Sequence, residues 1–175
     1  MRFCSIASGS SGNCIYVGSD NTHVLVDIGI SGKKMETGLN SLELTGRDLD
    51  GILITHEHSD HIKGLGVISR KYGIPIYATA GTVDAMVRTN ALGKIPEGIF
   101  HEIQEDEPFM INDLKVNPFT IPHDAAQPVG YRLEHEGHSV GIATDLGKYN
   151  DYIIENLQGL DALLLEANHD IRMLQ

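Results

Sequence analysis

The chain has few basic residues for its length. Of 175 residues, 13 are Lys or Arg and 24 are Asp or Glu, which gives a formal net charge of −11. This charge argues against broad electrostatic attraction to nucleic acid or to an anionic membrane surface. The sum leaves out any bound metal, and divalent cations would add positive charge where a substrate must lie. The acidity therefore weakens a nucleic-acid function without excluding it.

Cysteines and long apolar runs are also scarce. Cys4 and Cys14 are the only cysteines, so there is no disulfide framework and no CxxC pair, which favours reduced thiols in a cytoplasmic protein. No run of about 18 apolar residues predicts a membrane span. Residues 1–6 resemble a strand rather than a signal peptide. At 41 % hydrophobic, the chain is expected to fold as one domain over residues 1–175.

Hydrophobic periodicity predicts strands interspersed with helices. The predicted strands are 2–6, 14–17, 24–27, 50–55, 75–78, 100–103, 108–111, 114–121, 129–135, 138–144 and 161–165. The predicted helices are 31–44, one that begins near Asp60 and ends at Gly73, 82–90 and 149–158. This alternation indicates an α/β layered sandwich.

Three histidines and one aspartate are crowded into six residues after the apolar segment 51–54. They are His56, His58, Asp60 and His61. Imidazole and carboxylate are the ligands that zinc, manganese and iron prefer. His56 and His58 lie two apart on an extended segment, so both can point to one side. Asp60 and His61 continue onto the next helix turn and can address a neighbouring position.

Two further polar residues follow apolar runs in the same way. His123 follows residues 119–122, and Asp145 follows residues 141–144. Each has an ordinary alternative, a loop histidine for His123 and a helix cap for Asp145, but the position after a strand favours a ligand. One metal ion needs about three or four protein ligands, and the candidates exceed that number. The surplus predicts a two-metal site with Asp145 as the shared carboxylate, in which ions roughly 3.5–4 Å apart hold a bridging hydroxide.

The pattern HxHxDH formed by residues 56–61 resembles the signature of the metallo-β-lactamase superfamily. His123 and Asp145 match its next two ligand motifs in the right order. The resemblance implies an αββα sandwich, here with its C-terminal part missing, and a binuclear hydrolytic centre with two divalent ions, zinc or manganese or else iron. It implies one metal on His56, His58 and His123, the other on Asp60 and His61, and Asp145 between them.

Finer features look like the YycJ/WalJ branch of that superfamily. They are the Gly/Ser loop SGSSGN at residues 8–13, THEHSDH at 55–61 and LEANHD at 165–170. The branch implies a bacterial phosphodiesterase that acts on DNA as an exonuclease from the 5′ end. Asp60 is expected to orient the nucleophile or accept its proton, and His169 is the candidate proton donor to the leaving group.

One ligand of the superfamily pattern has no counterpart. A last histidine normally reaches the second metal from a later segment, and no histidine follows His169. Either His169 substitutes for it, or the chain is a piece of a longer polypeptide that carries this ligand. Without that part, an exposed sheet edge and apolar helix faces would favour self-association into a homo-oligomer.

Three features keep two interpretations each. The Gly/Ser loop is either a tight turn or a loop whose amides and hydroxyls approach a substrate phosphate. Lys33 and Lys34 form a solvated helix face by default, with contact to nucleic acid as the alternative. Glu57 points away from its neighbours, so it either orients a histidine or faces solvent.

Two other functions compete with DNA hydrolysis. The same site can act on a small ester, thioester or lactam, which the acidic charge favours. A catalytically silent module that keeps the fold is the third hypothesis.

Overall fold

Two β-sheets, each with helices on its outer face, form the part of the chain that the structure describes. The structure is a computed structural model, and it describes residues 1–166. The first sheet has strand order β1-β2-β3-β4-β5-β6: Arg2–Ala7, Cys14–Gly18, His23–Val26, Gly51–Leu53, Ile76–Thr79 and Phe100–Ile103. The second has order β11-β10-β9-β8-β7: Ala162–Leu165, His138–Ala143, Val129–His135, Leu114–Thr120 and Phe109–Ile111. Strands β3 to β6 are mutually parallel, as are β10 and β11, and the other pairs are antiparallel.

Within residues 1–166, five α-helices lie between the strands in sequence. They are α1 Gly32–Ser41, α2 Ser59–Ile62, α3 Leu65–Tyr72, α4 Ala80–Arg88 and α5 Asp151–Leu157, with a 3-10 helix at Gly46–Asp48. Among residues 1–166, none of the helices is long and apolar enough to cross a membrane.

Strand β2 shows how the layers pack. All five of its residues are buried, because both of its faces are covered. Cys14 and Tyr16 join the apolar cluster under α1 and α3, whereas Ile15 and Val17 join the cluster between the two sheets. A third cluster lies between α5 and the second sheet. This alternation, which follows from the two-residue period of a strand, gives the helix–sheet–sheet–helix layering and confirms the predicted αββα sandwich.

Two helices, α2 and α3, stand where the sequence predicted a single helix from about Asp60 to Gly73. The prediction of one continuous element was wrong because the chain must pass close to residues 28–30 at Gly64. The Gly64 amide donates to the Ile28 carbonyl at 2.8 Å, and a Cβ at Gly64 would lie 2.2 Å from the Ile30 carbonyl oxygen. This close approach separates α2 from α3.

Candidate metal centre

The predicted ligands within residues 1–166 come together at one end of the sandwich. Each follows the end of a strand: His56 and His58 follow β4, His123 follows β8 and Asp145 follows β10. Asp60 and His61 lie in α2. The two sheets are tied together at this end by the Val129 amide, which donates to the Thr55 carbonyl at 3.0 Å. Strands β8 and β10 both pair antiparallel with β9, which lies between them. Their carboxyl ends therefore lie at the same edge of the second sheet, which brings His123 and Asp145 together.

Three imidazoles form one potential ligand group. The rings of His56, His58 and His123 contact each other edge to face, with centroids 4.5, 4.7 and 4.9 Å apart. The Nε2 atom of His123 lies 3.2 Å from Nδ1 of His58. The three residues offer one nitrogen each within 4.8 Å of one another, which is a spacing able to hold a metal ion.

A second potential group adjoins the first and shares His56 with it. It consists of His56, His61 and Asp145. Asp145 Oδ2 lies 2.8 Å from His61 Nε2 and 3.6 Å from Nε2 of His56, the residue that both groups contain. Asp60 stands at the rim, with Oδ2 3.5 Å from His61 Nε2 and its side chain 31 % exposed.

Sequence reasoning missed Asp27, which is fully buried beneath His61. Its Oδ2 accepts a hydrogen bond from His61 Nδ1 at 2.7 Å. Its two oxygens also accept from the amide and the hydroxyl of Thr55 at 2.8 and 2.7 Å. A carboxylate on the far nitrogen of a ligand histidine fixes the ring orientation and tautomer. Asp27 directly follows the apolar strand β3, which is the same signal that singled out Asp145.

Two of the three site aspartates, Asp27 and Asp145, share an uncommon backbone conformation. Asp27 has φ +61° and Asp145 has φ +57°, in the left-handed region that aspartate tolerates better than most residues do. This conformation turns the chain sharply where each strand ends, and it places the carboxylate of each at the site.

The histidines have contrasting electrostatics. Burial, together with the neighbouring imidazoles of His61, His58 and His123, lowers the pKa of His56 to about 2. Burial also opposes protonation of His61, but the charge of Asp27 and the hydrogen bonds to Asp145 and Asp27 outweigh it and raise its pKa to about 10. Burial is likewise the main cause that lowers the pKa of His123.

The donor set fits a divalent metal on two observations. The buried Nε2 of His56 has no hydrogen-bond partner among residues 1–166, although an unpaired buried nitrogen is costly. The imidazoles of His56, His58 and His123 also converge within metal-ligand spacing, and mutual repulsion of their charged forms disfavours protons there and suits a shared cation. The structure therefore shows a His/Asp group able to bind metal. The number of ions and the role of each ligand stay predictions.

Neighbouring loops hold the site. The Asn13 amide of the Gly/Ser loop donates to the Asp60 carbonyl at 2.8 Å, and its side-chain Nδ2 lies 3.3 Å from His61 Nε2. The Glu57 side chain does more than face solvent, because its Oε1 accepts a hydrogen bond from the Ala126 amide at 2.8 Å. It thereby ties the loop that carries His123 to the histidine cluster.

Glu166 is a second carboxylate that the sequence reasoning did not assign to the site. Its backbone bonds to Ala143 and Leu146, on both sides of Asp145. Its Oε2 is buried without a hydrogen-bond partner among the described residues, and burial followed by the charge of Asp145 raises its pKa. His169, the candidate proton donor, lies outside the described residues.

The β-lactamase superfamily domain matches residues 22–173 of the sequence. The chain is 41 % identical to exodeoxyribonuclease YycJ of Bacillus anthracis over 175 residues, all of this chain and 66 % of that protein. It is 39 % identical to exodeoxyribonuclease WalJ of Streptococcus pneumoniae, again over the whole chain and 65 % of that protein. The chain thus spans just under two thirds of the length of these curated relatives.

Solved structures show the same fold at lower sequence identity. Zinc-bound PqqB from Methylobacterium extorquens has a TM-score of 0.73 at 19 % identity, over 88 % of this chain and 59 % of that one. The metallo-β-lactamase fold protein YhfI from Bacillus subtilis has a TM-score of 0.71 at 19 % identity, over 90 % of this chain and 64 % of that one. With its layered fold, its His/Asp group and the match over residues 22–173, the chain belongs to the metallo-β-lactamase superfamily and is similar over its full length to its YycJ/WalJ branch.

Proposed function

We propose that the protein is a metal-dependent phosphodiesterase that removes nucleotides from the 5′ end of DNA. The observation that carries this proposal is the pair of ligand groups that share His56, with Asp145 Oδ2 3.6 Å from His56 Nε2 and 2.8 Å from His61 Nε2. Two adjacent metal positions suit an in-line displacement at phosphorus. The relatives of 39 and 41 % identity, both exodeoxyribonucleases, support DNA as the substrate.

The protein residues have distinct parts in this reaction. When bound, divalent ions supply positive charge that lowers the pKa of water and neutralises the phosphoryl oxygens. His56, His58 and His123 would hold one ion, and His61 with Asp60 the other, with Asp145 shared. Asp60 is the most exposed of these carboxylates, so it is placed to orient the attacking water or accept its proton. His169 is the proposed proton donor to the leaving oxygen.

Zinc and manganese are the first ions to test, with iron as the third. His/Asp sites accept all three with modest preference, and the fold neighbour PqqB binds zinc. The cytoplasmic location and the self-association inferred from the sequence remain predictions.

The test offers the full-length protein two classes of substrate after reconstitution with each metal. The first is a 5′-phosphorylated duplex labelled at the 3′ end, and the second is a set of ester, thioester and lactam compounds. We expect the 3′-labelled strand to shorten step by step from its 5′ end, loss of the activity with a chelator, and its return with the metal. Robust thioester or lactam hydrolysis with no nucleotide release would overturn the DNA proposal.

A small-molecule hydrolase is the second candidate, because the net charge of −11 disfavours a polyanionic substrate. A silent module is the third. Elemental analysis addresses it, since a hydrolase of this design should hold about two ions per chain and a silent one fewer than one.

A further inference from the structure

A cavity of about 640 Å³ lies beside the metal centre, between α1, the end of β1 and the Gly/Ser loop. Its floor is apolar and its rim is basic. The floor includes Ile6, Ala7 and Ile30, and the rim includes Lys33 and Lys34.

One loop separates this cavity from the metal ligands. Ser11 of the Gly/Ser loop lines the cavity. Asn13, two residues further on, contacts the metal centre instead. Its backbone amide donates to the Asp60 carbonyl, and its Nδ2 lies 3.3 Å from His61 Nε2. A strand that passes over this loop would therefore meet both the cavity and the metal centre.

Lys33 and Lys34 place two adjacent positive charges on the rim of the cavity. Both are exposed, and neither forms an ion pair with any residue in the range 1–166, which is also true of Lys63, Lys94 and Lys148, whereas Lys71 and Lys115 pair with glutamates. Both lie in the first turn of α1, which contains no acidic residue, although the helix dipole disfavours cations there. In a chain of net charge −11, Lys33 and Lys34 thus lie at a helix N-terminus, where a positive charge lowers the stability of the helix.

A glycine sets the close packing of α1 on β1 beneath the lysines. A Cβ at Gly38 would lie 2.4 Å from Cγ2 of Ile6. The helix keeps this glycine even though glycine inside a helix costs about 1 kcal/mol relative to alanine. The resulting apolar floor suits the face of a nucleobase, and the basic rim suits its phosphate.

We propose that this cavity binds a nucleotide of the substrate strand next to the scissile phosphate. The base would lie on Ile6, Ala7 and Ile30, and the backbone phosphates would contact Lys33 and Lys34. This inference rests on the proposed function, and it adds where the strand is held.

The test measures binding of a single-stranded oligonucleotide, labelled at its 3′ end, to chelator-treated full-length protein by fluorescence anisotropy at several salt concentrations. Lys33→Gln/Lys34→Gln is compared with the wild type, with Lys33→Arg/Lys34→Arg, which keeps the charge, and with Lys94→Gln, which removes an exposed charge elsewhere. Each single Gln substitution is also measured in case the double variant folds poorly. The double Gln variant should raise Kd about tenfold and reduce the salt slope by about 1.4. The Arg and Lys94 variants should bind like the wild type.

Activity measurements separate the failure of this inference from that of the proposed function. The readout is the ratio of kcat/KM on the oligonucleotide to kcat/KM on bis(p-nitrophenyl) phosphate, and it should fall about tenfold in the double Gln variant. If the wild type releases nucleotides but the Gln variants keep its Kd, salt slope and activity ratio, the nucleotide site is wrong and the proposed function stands. If the wild type neither binds nor cleaves DNA, both proposals fail.

Discussion

His61 is clamped between two carboxylates: its Nδ1 lies 2.7 Å from Oδ2 of Asp27, and its Nε2 lies 2.8 Å from Oδ2 of Asp145. Both carboxylates are acceptors, so the metal-free ring is stabilised with a proton on each nitrogen. A metal ion that binds Nε2 must displace one of these protons. Asp27 keeps the other in place and leaves the ring oriented toward the ion.

Metal binding is therefore expected to release a proton from His61 at neutral pH. The pKa of this ring is raised to about 10, so it stays protonated until a metal competes, and metal affinity should rise as pH rises from about 6.5 toward 10. Titration calorimetry at pH 7.5 in buffers of different ionisation enthalpy should report about one proton released per ion at this position. An affinity independent of pH would show that His61 does not bind through Nε2.

His61 and His56 together predict a pH optimum for the stability of the metal-free protein. The raised pKa of His61 gives stability that is fully present below the unfolded value near 6.5 and is lost as pH rises through about 10. The pKa of His56 is lowered to about 2, so stability falls as pH drops below about 6.5, because the unfolded state takes up a proton that the folded state refuses. Urea unfolding measured from pH 5 to pH 10 should show a free energy of unfolding that declines both above and below about pH 6.5. A flat profile would contradict it.

Asp27→Asn should lower metal affinity by roughly 10- to 100-fold, because the neutral amide neither fixes the orientation of the His61 ring nor raises its basicity as the carboxylate does. Asparagine also tolerates the positive φ of this position, so the change tests the charge rather than the backbone. Asp20→Asn, the same substitution at an exposed turn residue, is the matched control. Competition with a chromophoric chelator measures both. Equal affinities for the two variants would remove Asp27 from the metal centre.

The sequence allowed the fold and the strand-end ligands to be predicted because both depend on local patterns. Apolar runs followed by His56, His123 or Asp145 are visible without any structure. Asp27 carries the same signal, but its partner is set by the pairing of β3 with β4, which places it beneath Thr55 and His61. No periodicity reveals such a long-range register. The break at Gly64 was missed for a similar reason, since it depends on the distant carbonyl of Ile30.

Glu57→Ala should weaken metal binding at the three-histidine group about tenfold, through the loop rather than through direct contact. Oε1 of Glu57 accepts from the Ala126 amide at 2.8 Å, so its loss frees the segment that positions His123. Glu57→Gln keeps an acceptor oxygen and should retain most of the affinity. Metal stoichiometry and affinity measured on both variants check this. If the alanine and glutamine variants bound metal with equal affinity, the hydrogen bond from the Ala126 amide to Glu57 would not be needed to position His123.

Gly29 lies where the Gly/Ser loop and the Asp60 turn meet, and it leaves no room for a side chain. A Cβ there would lie 1.6 Å from the Asp60 carbonyl oxygen and 2.7 Å from the Asn13 nitrogen. Because both atoms belong to the backbone, they cannot rotate aside, and the turn that carries Asp60 must shift. Gly29→Ala should therefore reduce the free energy of unfolding by roughly 3 kcal/mol and lower hydrolytic activity even in the folded fraction.

Gly73→Ala provides the control for this substitution. Gly73 also resists a side chain, but only through its φ of +64°, since nothing lies within 4 Å of its Cβ position. Alanine there should cost about 1 kcal/mol and leave the specific activity of folded protein unchanged. Urea unfolding combined with activity per folded molecule distinguishes the two variants. If Gly29→Ala lost stability but kept full activity, the position of Asp60 would not depend on this contact, and its proposed part in orienting water would lose its structural basis.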